Sequence, residues 1–319
     1  MLYKSIQGTQ LQVSELCLGT GNMGGGINQE ESFKILDTYL DHGGNFIDTA
    51  KIYCDWLPGE RSASEKTIGR WFASGGKRQK IVLATKGAHP ELSSMHIPRL
   101  SPQEIVSDIQ SSLQHLGTDY IDIYWLHRDD PNRPIEEIIE TLHAQVTAGN
   151  IRFFAVSNWG ISRIQAGIEF SRRRGISEII ASQILWNLAL VDYTVIDPTL
   201  AWMDKATWEY HRKNNFPVIP YSSQANGIFQ KIASGIISQD NIAIRTMYPF
   251  ESNYRRYLEI KKVSEQMGFS ITQVILAFLL SQPFPVVPII GPNHVGQLLD
   301  SMTAAGCRLN PNQLTLLSA

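Results

Sequence analysis

Eight short apolar runs, each followed by a segment of helical period, constrain this chain more than any other feature. They are Leu16–Leu18, Asn45–Ile47, Ile81–Ala84, Ile121–Leu126, Phe153–Val156, Ile179–Ala181, Val218–Pro220 and Val286–Ile290. β-Branched and aromatic residues dominate them, and several lack polar alternation, as strands buried on both faces do. Their starts run from 16 to 286, about 39 residues per step, enough for one strand, one helix and two connections. Between them, Gln29–Asp41 sets Phe33, Leu36 and Leu40 on one helical face. Pro102–Leu116 does the same with Ile105, Ile109, Leu113 and Leu116. Ser101-Pro102 and Arg133-Pro134 put proline where a first turn accepts it, and Gly43, Gly117, Gly149 and Gly175 stand at C-cap positions. Tyr3-Lys4-Ser5 and Gln10-Leu11-Gln12 flank a glycine-containing turn and predict a hairpin. The stretch from Tyr221 to Val286 exceeds one unit and predicts an inserted loop over one end.

Eight unbroken units predict an α/β chain folded as a single (β/α)8 TIM barrel, one domain over residues 1–319. A doubly wound sheet rarely reaches eight regular units. Composition agrees: 43% of residues are hydrophobic and 18% charged, a low charge share with much surface to bury. Lys+Arg number 28 against 30 Asp+Glu, without the clustered cations that nucleic acid or a membrane surface requires. Ile271–Ile290 is the most apolar stretch, but Gln273, Ser281, Gln282 and three prolines interrupt it, so it spans no bilayer. The N-terminus has no apolar signal region. Cys17, Cys54 and Cys307 form no disulfide framework, which makes the cytoplasm the expected compartment.

In such a barrel, function gathers at the C-terminal ends of the strands. There the runs end in Asp48, Lys86 and His127, an acid, a base and an imidazole on three adjacent strands. Buried charges need partners, so Asp48 and Lys86 are expected to pair at the barrel mouth. Tyr53 lies just beyond Asp48. A neighbouring ammonium stabilises a phenolate, which makes this tyrosine a candidate general acid or base. The later strands end in Ser157-Asn158, Gln183, Tyr221-Ser222 and Gly291. Amides, hydroxyls, an aromatic face and a glycine suit a flat heterocycle joined to phosphates. Gly291-Pro292-Asn293-His294 precedes a helical segment whose N-terminus could receive a phosphate.

These residues resemble the aldo-keto reductase family. The resemblance rests on Gly44-Asn45-Phe46-Ile47-Asp48-Thr49-Ala50 with Tyr53, on Ser64-Glu65-Lys66-Thr67-Ile68-Gly69, and on Ala84-Thr85-Lys86. Leu126-His127, Val156-Ser157-Asn158-Trp159 and Pro220-Tyr221-Ser222 complete it. It implies a nicotinamide cofactor at the rim and a small-molecule carbonyl substrate. Tyr53 would be the proton donor, Lys86 would depress its pKa, Asp48 would hold Lys86, and His127 would orient the substrate oxygen. The implied cofactor contacts are Ser157, Asn158 and Gln183 at the carboxamide, Tyr221 on the ring, and Gly291, Asn293 and Gln297 near the adenosine. Gly19, Thr20, Asp48, Ser222 and Gln224 extend that set. Trp56, Arg128 and Asp129 are expected to meet a polar or sugar-like substrate. NADP(H) is expected ahead of NAD(H). The chain nevertheless departs from the family where NADP-preferring members carry an arginine or lysine, because Asn293 and His294 stand there, and Ser301 replaces the asparagine of the following helix. The proline typical after the Tyr-Ser pair is missing as well.

Other patterns are weaker. Gly19-Thr20-Gly21-Asn22-Met23-Gly24 fits the dinucleotide-binding G-x-G-x-x-G, yet the loop runs on through Gly25-Gly26-Ile27-Asn28 before any helix, so a rim loop is the better reading. No histidine spacing indicates a metal, and His89 and His96 are read as facing solvent or substrate. Two competing functions are a glycoside hydrolase using Asp48 with Asp129 or Asp130, and a non-catalytic redox-sensing subunit resembling the barrel subunits of voltage-gated potassium channels. Oligomeric state is left open.

Overall fold

An antiparallel ribbon, β1 (Tyr3–Ser5) with β2 (Gln12–Ser14), precedes the alternating part of the chain. The predicted hairpin is present, with its second strand two residues later than expected. The structure, a computed structural model, describes residues 1–238 and 247–318. Seven parallel strands follow: β3 (Cys17–Gly19), β4 (Phe46–Asp48), β5 (Val82–Gly87), β6 (Ile121–Leu126), β7 (Ile151–Ser157), β8 (Ile179–Gln183) and β9 (Ile289–Ile290). Their order, β8-β7-β6-β5-β4-β3-β9, is a curled sheet in sequence order with the last strand beside the first.

The run expected as the seventh barrel strand is not a regular strand. Pro217, Pro220, Pro285 and Pro288 remove ladder donors around it. The remaining amides still close the ring. Ile219 N donates to Ser182 O (2.9 Å) and Tyr221 N to Ile184 O (3.1 Å) on one side. On the other, Val218 N reaches Pro285 O and Val287 N reaches Val218 O, both at 3.0 Å. The fold is therefore the expected (β/α)8 barrel, with one seam held by alternate bonds.

The helices α1 (Gln29–Asp41), α2 (Ala63–Ala73), α3 (Pro102–Leu116), α4 (Ile135–Thr147), α5 (Ile161–Arg174) and α6 (Lys205–Asn214) occupy the intervals. The predicted bounds of α1 and α3 are met. Ser101 and Glu104 form a capping box on α3, and Gly117 ends it at φ 60°. The buried face of α1 is rotated from the expected one: Ile35, Leu36 and Tyr39 are buried, with Phe33 and Leu40 flanking. The Tyr39 hydroxyl causes this, since it donates to Leu16 O (2.7 Å) and accepts from Phe46 N (3.3 Å). A Cβ on Gly44 would fall 2.3 Å from the Tyr39 ring, so only glycine admits that ring. Beyond Tyr221, the expected inserted loop is helical where described, as α7 (Ile228–Ala233), α8 (Phe250–Met267) and α9 (Ile271–Leu280); residues 239–246 lie outside the described residues. α10 (Val295–Met302) and α11 (Pro311–Ser318) follow β9. Among the described residues, no single helix is long and apolar enough to cross a membrane.

The ribbon packs on the N-terminal ends of the strands, where Asn45 Nδ2 donates to Gln12 O (2.8 Å) and Lys4 Nζ to Val286 O (2.8 Å). Phe46, Ala84, Ile123 and Trp125 fill the interior with Ile6 and Val13 of the ribbon. Only the C-terminal end is left for the long βα loops.

His211 on α6 is fully buried, with Nε2 3.1 Å from Ser182 Oγ and Nδ1 2.7 Å from Phe216 O. Burial pushes its pKa down to about 4. The unfolded chain then binds more protons than the folded one between about pH 4 and 6.5, so stability rises with pH across that window. Acidification is expected to cost up to roughly 3 kcal/mol through His211 alone. His89 and His127, also lowered by burial, act in the same direction. Urea midpoints measured from pH 7 to 5 should fall, and His211→Gln should flatten the slope; an unchanged slope would remove His211 from this account.

Candidate active site

Asp48 ends β4, Lys86 lies near the end of β5 and His127 follows β6 directly. Register sets them side by side, since Asp48 pairs with Ala84 and Lys86 with Trp125. Beyond β4 the chain keeps pairing with β5 through Thr49 N to Ala84 O and Lys51 N to Lys86 O, each 2.9 Å. That carries the next turn over the barrel mouth. Lys51 is tied to buried Asp108 of α3, and Cys54 completes the turn at φ 73°. A Cβ on Gly25 would lie 2.7 Å from Cys54 Sγ, so this cysteine is a packed neighbour of the first rim loop.

The turn delivers Tyr53 to Lys86. Lys86 Nζ donates to Tyr53 OH at 2.8 Å, to Asp48 Oδ2 at 2.5 Å and to Thr49 O at 2.9 Å, which uses all three of its protons. Asp48 Oδ1 accepts from Gln183 Nε2 at 3.1 Å. Asp48 and Lys86 are both essentially buried, and each answers the other's desolvation. Burial alone pulls the lysine down, but Asp48 and Tyr53 outweigh it and hold the ammonium above its usual range. Tyr53 corrects an expectation. Burial raises its phenol by more than Lys86 lowers it, so the hydroxyl stays protonated at neutral pH.

His127 is held well below the usual imidazole range, first by burial and then by His89, Arg128 and Lys86. Its ring stands edge-on to Tyr53 with centroids 6.1 Å apart, and its buried Nδ1 has no hydrogen-bond partner among the described residues. His89, read from the sequence as facing solvent or substrate, packs edge-on against His127 with ring centroids 4.7 Å apart. Trp56, half exposed, meets Tyr53 edge-on at 6.1 Å.

Asn158 joins the later strand ends. Its Nδ2 donates to His127 O (3.2 Å) and Ser157 Oγ (3.1 Å), and its Oδ1 accepts from Tyr221 OH (2.8 Å). Asn158 and Ser222 adopt φ 62° and 52°, a conformation that costs non-glycine residues free energy and gathers at functional sites. Gly19 and Thr20 stand behind this surface. A Cβ on Gly19 would meet Ile289 Cγ2 at 2.6 Å, and the buried Thr20 hydroxyl is engaged by Ser64 Oγ (2.9 Å) and Asp48 O (3.1 Å). Gly24, at φ 79°, packs against Ala63 and Thr67, so the apparent G-x-G-x-x-G is a rim loop.

Farther out, Gln224 Nε2 donates to Ser301 Oγ (3.2 Å), Asn293 N to Gln297 Oε1 (2.8 Å) and Asn22 Nδ2 to Asn293 Oδ1 (3.1 Å). A Cβ on Gly291 would meet nothing within 4 Å, so a ligand can approach that backbone. His294 caps α10, and Glu31 of α1 accepts from Val295 N at 3.3 Å. Sequence patterns gave no sign of Glu31 there, since it comes from the opposite end of the chain. Asp129, expected to face substrate, is instead held by Arg163, whose Nη2 and Nε lie 3.2 and 3.3 Å from its carboxylate. The open approach at Gly291, the unpartnered His127 Nδ1 and the amides at the strand ends fit a nicotinamide dinucleotide.

The profile described as "Aldo/keto reductase family" matches residues 15–319, and the chain belongs to that family. It is an NAD(P)-dependent oxidoreductase. An uncharacterized oxidoreductase of Bacillus subtilis, YrpG, is 31% identical over all of this chain and 95% of its own length. Norsolorinic acid reductase stcV of Emericella nidulans is 27% identical over 95% of this chain and 77% of its own. Aryl-alcohol dehydrogenase [NADP(+)] of Phanerodontia chrysosporium is 29% identical, covering 98% and 83%. A solved structure of the thermostable aldo-keto reductase Tm1743 with the inhibitor epalrestat shares the fold, with TM-score 0.75 and 23% identity over 99% of this chain and 98% of that one.

Proposed function

We propose that this chain is a carbonyl reductase, one barrel unit over residues 1–319, that converts a small-molecule aldehyde or ketone to an alcohol with Tyr53 as general acid. The carrying observation is the Asp48–Lys86–Tyr53 chain of hydrogen bonds, 2.5 and 2.8 Å long. When bound, the reduced nicotinamide supplies hydride to the carbonyl carbon. Tyr53 supplies the proton to the carbonyl oxygen, and the phenolate left behind is stabilised by the adjacent Lys86 ammonium. Neutral His127 has a ring nitrogen free to orient that oxygen. Ser157, Asn158 and Gln183 would hold the carboxamide, with Tyr221 beside the ring. In reverse, the phenolate is the base. The two-carboxylate hydrolase reading is disfavoured, because Asp48 is bonded to Lys86, Asp129 to Arg163, and Asp130 accepts from Asn132 N with Arg133 4.0 Å away. The three unpaired cysteines fit a cytoplasmic location.

The family resemblance favours NADP(H) over NAD(H); we infer the opposite preference. A 2′-phosphate calls for a cation. Asn293 and His294 are committed to local hydrogen bonds, and the Glu31 carboxylate already sits on the first amide of α10. Parallel fluorescence titrations should show NADH binding more tightly than NADPH. Glu31→Gln is expected to tighten NADPH about two- to fivefold, the scale of a charge at a helix N-terminus. Tighter binding of NADPH by the unaltered chain reverses this inference. Consumption of either cofactor with a panel of aldehydes and ketones tests the reductase reading itself.

A further inference from the structure

We infer that Arg128 is the specificity-determining anchor for a carboxylate carried by the substrate close to its reacting carbonyl. The inference rests on the reductase reading for the word substrate, but not for its test. Arg128 is more than nine-tenths buried, immediately after His127. Its Nη1 donates to His127 O at 3.0 Å, the same oxygen that Asn158 Nδ2 binds, so the guanidinium lies against the strand ends that face Tyr53 and Tyr221. Its Nε donates to Thr199 Oγ1 at 3.1 Å. Two of its five N–H groups are thereby used.

What it lacks is a close counter-ion. Among the described residues its ion-pair partner is Asp197 at 3.6 Å, about one-third exposed and itself bonded to Thr199 N and Oγ1. Nearby Arg163 shows the alternative, reaching both oxygens of Asp129. Burial accordingly pulls Arg128 below the usual guanidinium range, against the weaker pull of Tyr221 and Asp197. The neighbouring basic groups offer an anion no free charge. Lys86 has spent its three protons, and burial holds His127 and His89 neutral. Arg128 is thus a desolvated cation held on Nε and Nη1 and only loosely by Asp197 on Nη2, with N–H groups left on the Nη1–Nη2 edge for a carboxylate. The substrate class this selects is a carboxylated aldehyde or ketone, such as a 2-oxo acid or a semialdehyde.

The test is calorimetric titration of the full chain, with and without its tighter-binding nicotinamide cofactor, using benzoate and its uncharged analogue benzamide. Benzoate is expected to bind at least about tenfold more tightly, with the preference falling below twofold in Arg128→Met and partly kept in Arg128→Lys. Both ligands are measured on one preparation, so a misfolded fraction alters stoichiometry and not the ratio. Equal or undetectable affinities in the unaltered chain overturn the inference. So does an undiminished preference in Arg128→Met, or a variant that loses cofactor affinity while keeping the benzoate preference. Failure of any carbonyl to consume NADH or NADPH would instead count against the reductase reading and leave the benzoate result standing.

Discussion

Tyr53→Phe is expected to lower kcat about 10²- to 10⁴-fold, the usual worth of a positioned general acid, while cofactor affinity stays within about twofold. The substitution removes one oxygen. The ring keeps its edge contacts with Trp56 and His127, and Lys86 keeps its bonds to Asp48 and Thr49 O. Little folding free energy is at stake, so the loss belongs to proton transfer. The pH profile carries a second signature. Because burial raises the Tyr53 phenol more than Lys86 lowers it, the proton donor stays loaded throughout the neutral range. Reduction should therefore be flat with pH through the neutral range and past the ordinary phenol value of about 10, whereas alcohol oxidation should rise with pH. Undiminished turnover in Tyr53→Phe, or a reduction rate that falls near neutrality through loss of this proton, would remove Tyr53 from its assigned role.

The parts of this arrangement that follow a period or an end rule were readable from the sequence. β-Strands buried on both faces announce themselves as apolar runs, and Asp48, Lys86 and His127 were conspicuous because each ends such a run. The parts decided by tertiary contact were not. Val218 joins the barrel only through isolated bonds to segments far apart in the chain, and its flanking prolines hide that pairing. The buried face of α1 follows the Tyr39 hydroxyl into Leu16 and Phe46, which outweighs the better apolar stripe through Phe33 and Leu40. Asp129, two residues after His127, reads as a substrate contact in the sequence, but Arg163 from α5 meets it. The direction of the Tyr53 shift depends on how deeply the hydroxyl is enclosed against how close the ammonium lies, and adjacency in sequence measures neither.

Lys86→Met should produce the second large effect, because it breaks a buried pair and leaves its partner behind. Three hydrogen bonds vanish, and Asp48, about 1% exposed, keeps Gln183 but no cation beside it among the described residues. A loss of about 3–5 kcal/mol is expected from removing one member of such a pair, together with turnover. Asp48→Asn/Lys86→Met should regain part of the stability, since no lone charge is buried, while turnover stays lost. That contrast separates electrostatics from packing, because a pure packing defect would not be relieved by the second substitution. The charge also predicts a pH trend. Burial already raises the Asp48 carboxyl against the opposing pull of Lys86, and without the lysine it must rise further. A carboxyl with its folded pKa above its unfolded one binds more protons when folded, so stability falls as pH rises through that interval. The deficit of Lys86→Met relative to the unaltered chain should therefore shrink between pH 8 and 5 in urea unfolding. A deficit constant across that range would assign the cost to lost packing, and the Asp48–Lys86 pair would then be neutral in the fold.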